Sequence, residues 1–151
     1  MDTAKALKQS PLFADFSNRE IDSVVETARE RSFAKGEKII EEGAEGGRAF
    51  YVLLDGSAQA RKGGTALADF TPGDYFGEMA LLLEDTPRTA DVVATSDVHC
   101  LLITSWDLRA LIKVHPHAGD KIMAELATRF HNNLMAELDS RLRSSDPAPG
   151  D

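Results

Sequence analysis

Phe76-Gly77-Glu78-Met79-Ala80-Leu81-Leu82-Leu83-Glu84-Asp85-Thr86-Pro87-Arg88-Thr89-Ala90-Asp91-Val92 is the stretch on which the reading of this chain turns. Gly77 has no side chain, so a ligand can approach its backbone closely. Glu78 to Leu83 is a short run of good helix formers, and a helix start offers unpaired N–H groups to an anion. Pro87 ends the run. Arg88 follows with a fixed charge and a planar fork of donors. Backbone amides plus one arginine make a seat for a single phosphate. Glu78 would be out of place beside a bare anion, but a carboxylate there can accept hydrogen bonds from sugar hydroxyls. The residues therefore ask for a ligand that carries a phosphate and a sugar hydroxyl close together.

Phe76-Gly77-Glu78-Met79-Ala80-Leu81-Leu82 followed by Pro87-Arg88-Thr89-Ala90 resembles the phosphate-binding cassette of the cyclic nucleotide-binding domain family. The resemblance implies that Glu78 holds the ribose 2′-hydroxyl and Arg88 pairs with the cyclic phosphate. Gly77 and the short helix through Met79 and Ala80 would supply backbone contacts, with Phe76, Thr89 and Ala90 completing the cassette. It also implies that Ala60 and Leu67 line the purine face, where two small-to-medium apolar residues suit a flat base. They equally suit plain core positions. In the family a Thr at the place of Thr89 can reach a guanine amino group, so the resemblance implies that cyclic GMP is permitted without excluding cyclic AMP. Cyclic AMP is placed first and cyclic GMP second. Asp91 departs from the family pattern, which favours Ser or Thr there; on a strand it should point away from Ala90.

The chain has 151 residues, 42% of them apolar, which suits one globular domain. No apolar run reaches the ~18 residues that a membrane span needs, and Met1 to Leu7 lacks the build of a signal peptide. Cys100 is the only cysteine, so no internal disulfide forms; a cytoplasmic location is the default. A net charge of −8 argues against direct binding to nucleic acid. Direct reading of DNA is not expected from these residues, which show no helix-turn-helix pattern.

Ser17-Asn18-Arg19-Glu20 is a capping box, and Ile21, Val24, Val25 and Ala28 recur at helical spacing. The spacing predicts a helix from Asn18 to about Arg29, preceded by a short one over Thr3 to Lys8. Strands are predicted over Lys38–Glu41, Ala49–Leu54, Ser57–Arg61, Thr65–Phe70, Thr89–Thr95 and Val98–Thr104. Asp55-Gly56 reads as a hairpin turn. Short strands with regular glycine turns suggest an antiparallel barrel or jelly roll. Thr104 caps a helix from Ser105 that His115-Pro116 breaks. Trp106, in its first turn, is expected to pack. A second helix is expected from Pro116 to Arg143, with Ile122, Leu126, Phe130, Leu134, Leu138 and Leu142 every four residues. That stripe is longer than a small roll can cover and predicts a homodimer.

The fold class implied is mainly β with flanking helices: an antiparallel, jelly-roll-like β-roll of about eight strands. The expected organisation is one cyclic nucleotide-binding domain over 1–143. Within it lie N-terminal helices in 1–29, the roll in 30–104 with its cassette in 76–92, and C-terminal helices in 105–143; a disordered tail occupies 144–151. The function implied is a regulatory sensor that repositions its C-terminal helices for an unidentified effector. Two alternatives are a ligand-free interaction module, against which Glu78 and Arg88 stand, and a cupin-like protein. Cupins cluster His and Glu, whereas His99, His115, His117 and His131 are scattered and read as surface residues. The chain lacks Walker, Rossmann and nucleophile-elbow motifs, so neither catalysis nor a metal cofactor is expected. The acidic run Glu41 to Glu45 reads as a solvated loop.

Overall fold

The computed structural model describes residues 2–41, 43, 49–78 and 90–144. Two short helices come first, α1 (Thr3–Leu7) and α2 (Asn18–Thr27). Eight strands follow: β1 (Arg29–Phe33), β2 (Lys38–Ile40), β3 (Ala49–Asp55), β4 (Ala58–Lys62), β5 (Thr65–Phe70), β6 (Tyr75–Phe76), β7 (Asp91–Ala94) and β8 (Val98–Thr104). Two helices, α3 (Ser105–Val114) and α4 (Pro116–Ser144), close the described chain. The strands form two four-stranded antiparallel sheets, in the orders β1-β8-β3-β6 and β2-β7-β4-β5.

Local chemistry sets the helix ends. Ser17 Oγ accepts from the Glu20 amide at 3.2 Å, and Glu20 Oε1 accepts from the Ser17 amide at 2.9 Å. That second bond holds the Glu20 carboxyl below its ordinary pKa. Thr104 and Asp107 form the same reciprocal box at the start of α3. Helix α2 ends at Thr27, short of Arg29, because Ala28 is already extended and Arg29 pairs with Leu102 of β8. The corner between α3 and α4 is tight. A Cβ on Gly119 would collide with the Ile112 side chain. His115 Nε2 also lies 2.9 Å from Ser23 Oγ of α2.

Strands β3 and β8 are buried on both faces. Phe50, Val52, Leu101 and Ile103 face a core shared with the helices, including Phe13, Ile21 and Ile122. Leu53, Val98 and Cys100 face a second core inside the roll. This explains why residues 49–54 read as a continuous apolar run rather than an alternating one. Cys100 is a sealed core residue, and burial pushes its thiol up to about 12.

Two expectations need correction. Asp55-Gly56 does not close a hairpin: β3 pairs with β8 and β6, whereas β4 pairs with β5 and β7. The turn carries the chain from one sheet to the other, at a Gly56 φ of +90°. Trp106 does not pack into the core; it is 71% exposed, with the Arg109 guanidinium 5.3 Å from its ring centroid. Strands β1 and β6 were not anticipated, and β2 stops at Ile40 rather than Glu41.

Candidate functional site

Alternation along β6 sends its two side chains to opposite faces. Phe76 points into the roll, stacked 4.9 Å from Phe70 and 5.6 Å from Tyr51 between ring centroids. Its ring is therefore a core anchor for the start of the cassette. Tyr75 points to the helix side, buried against Phe50. Gly77 then adopts φ +82°, a conformation that a residue with a Cβ rarely takes.

Glu78 comes next and is only 3% exposed. A buried carboxylate must be compensated by partners. Asn133 Nδ2 donates to its Oε1 at 3.0 Å, and Arg129 Nε lies 3.6 Å from the same oxygen. Both partners come from α4. Arg129 also lies over the Tyr75 ring, 5.1 Å from the centroid, and the Tyr75 hydroxyl donates to Glu125 Oε1 at 3.1 Å. Glu125, Arg129 and Asn133 recur every four residues, so they share one face of α4. That face closes over the exit of β6. Arg129 and Asn133 were not anticipated; the one signal the sequence offered was this spacing of polar residues alongside the apolar stripe.

Ala60 lies in the core of the roll, opposite Val92 of β7 and Ala68 of β5. Leu67 is the extra residue of a β-bulge, between Ala68, which pairs with Ala60, and Ala66, which pairs with Arg61. It is 58% exposed, as bulges re-aim a side chain. Ala90 is partly exposed just before β7. The Asp91 carboxylate lies 3.4 Å from Lys38 Nζ of β2, so a cation tempers its charge. Met79, Ala80, Arg88 and Thr89 lie outside the described residues, as do Glu42 and Glu45 of the acidic run and the tail from Ser145.

The fold and this clasp define a β-roll domain closed by a C-terminal helix. The family model described as "Cyclic nucleotide-binding domain" matches residues 30–115. The cAMP-dependent protein kinase regulatory subunit of Hypocrea atroviridis is 40% identical over 92 residues, covering 61% of this chain and 20% of that protein. The Cyclic AMP receptor protein of Thermus thermophilus is 32% identical over 147 residues, 94% of this chain and 66% of that protein. The crystal structure of Thermus thermophilus Catabolite Activator Protein superposes with a TM-score of 0.73 at 33% identity, covering 89% of this chain and 63% of that one. The chain thus spans about a fifth of the kinase subunit it resembles and about two thirds of the receptor protein. It belongs to the cyclic nucleotide-binding domain family. No helix of the described residues is long and apolar enough to cross a membrane.

Proposed function

We propose that residues 1–143 form one regulatory sensor domain that binds a 3′,5′-cyclic purine nucleotide, cyclic AMP in preference to cyclic GMP. The observation that carries this reading is the buried Glu78 carboxylate at the exit of β6, clasped by Arg129 and Asn133. A carboxylate kept there at the cost of desolvation suits recognition of a ribose hydroxyl. Arg88 supplies the phosphate partner and Thr89 the hydroxyl that admits cyclic GMP; Gly77, Met79, Ala80 and Ala90 complete the backbone seat. Leu67, exposed at its bulge, and Ala60, in the roll beside it in the β4–β5 ladder, are the residues offered to a base. Because the clasp joins the site to α4, ligand at Glu78 favours one docking of that helix over another. The domain is read as a sensor rather than a catalyst. Calorimetric titration with cyclic AMP and cyclic GMP in parallel tests this directly. Saturable binding of both, tighter for cyclic AMP, is the expected result; no heat with either sinks the reading.

The same helix supports a homodimer. Ile122 and Leu126 are buried in this chain's own core, whereas Leu134, Met135 and Leu138 are exposed further along α4. Exposed large side chains in a row on one helix are an association surface. Sedimentation should show a concentration-dependent dimer, weakened by Leu138→Glu. A monomer at high concentration, with and without nucleotide, would count against it.

A further inference from the structure

Tyr75 stands apart from the residues assigned to the nucleotide, yet it touches both Glu125 and Arg129 on the α4 face that meets Glu78. Its hydroxyl donates to Glu125 at 3.1 Å, and its ring lies under Arg129 at 5.1 Å. An edge-on contact with Phe50, 6.3 Å between centroids, fixes the ring. Arg129 in turn lies 3.6 Å from Glu78. Glu125 and Arg129 are four residues apart on the same helix face, where opposite charges attract one another. The Tyr75 hydroxyl therefore does something the ring alone cannot. It occupies the Glu125 carboxylate and leaves Arg129 to Glu78. Burial raises the Tyr75 pKa above its ordinary value, so the hydroxyl keeps its proton and remains a donor.

We infer that Tyr75 is a positioning residue for recognition of the sugar hydroxyl, acting through Glu125 and Arg129 on Glu78 without touching the nucleotide. The inference rests on the nucleotide reading above. In Tyr75→Phe the ring still supports Arg129, but Glu125 loses its donor and competes with Glu78 for the guanidinium. A carboxylate that loses one of the partners fixing it is less well ordered to accept a hydroxyl.

The test uses the full chain and compares cyclic AMP with 2′-deoxy cyclic AMP by calorimetry. Wild-type protein should favour the ligand with the 2′-hydroxyl. Tyr75→Phe should narrow that ratio by roughly two- to tenfold, the range of one hydrogen bond, with little change for the deoxy ligand. Tyr75→Phe/Glu125→Gln should restore the ratio, because a neutral amide does not compete for Arg129; a purely structural role for the hydroxyl would show no such rescue. An unchanged ratio in Tyr75→Phe, equal losses for both ligands, or no rescue each overturns the inference while nucleotide binding stands. Wild-type protein that binds neither ligand overturns the nucleotide reading, and this inference with it.

Discussion

Replacing Arg88 with glutamate is expected to abolish nucleotide binding while leaving the unfolding midpoint unchanged. In the proposed site Arg88 pairs with the cyclic phosphate through two charge-assisted bonds. Each such bond is worth ~1.5–3 kcal/mol, and losing both costs roughly two to four orders of magnitude in affinity. The new carboxylate adds repulsion against an anionic ligand. Calorimetry with cyclic AMP measures the first part and thermal unfolding the second. Full affinity in this variant would remove the phosphate seat from the reading, whatever Glu78 does.

Gly56→Ala is expected to destabilise the roll strongly. Gly56 has φ +90°, and a Cβ there would run into the backbone carbonyl oxygen of Asp97, with Ser96 Oγ at 2.9 Å. Backbone strain of this kind costs about 1–3 kcal/mol and overpacking a similar amount. The sum is a large share of the ~5–15 kcal/mol that holds a domain together. Gly36 provides the control. Its φ is +93°, but nothing lies within 4 Å of its added Cβ, so Gly36→Ala carries only the backbone part. Urea unfolding should place Gly56→Ala at least ~1 kcal/mol below Gly36→Ala. Equal stabilities would show that the Asp97 carbonyl yields without cost.

The same glycine shows where sequence reading stops. A strand followed by Asp-Gly signals a reversal that needs positive φ, and that part of the reading holds. The signal is local, however, and cannot say which sheet the next strand joins. That choice depends on β3 already being flanked by β8 and β6. Strand β1 was illegible for a related reason. Arg29-Glu30-Arg31-Ser32-Phe33 lies at the edge of its sheet with its polar side chains exposed, so no apolar alternation marks it. Pairing with β8 makes it a strand. Long apolar elements such as β8 and α4 were legible because burial imposes a period on the sequence.

At the site the balance is similar. Glu78 stood out because a carboxylate interrupts an otherwise apolar stretch beside a glycine. Arg129 and Asn133 did not, because polar residues are ordinary on a helix. Nothing local reveals that this face meets a residue more than fifty positions earlier. Trp106 misled in the opposite direction: an aromatic ring suggests a core, yet Arg109 covers it in the open.

Helix α4 spans 29 residues, and among the described side chains the last one fully buried in the core is Leu126. From there to Ser144 the helix extends about 27 Å at 1.5 Å per residue. Under the proposed shift in its docking, the helix would act as a stiff arm, with the Glu78 clasp close to its buried end. Each degree of tilt at the pivot sweeps the tip through about 0.5 Å by that length. In that proposal a small change at the site would become a larger displacement at Leu138 and beyond, with a gain set by how far the helix runs past Asn133. Trimming turns from its end would shorten the stroke while leaving the clasp itself intact.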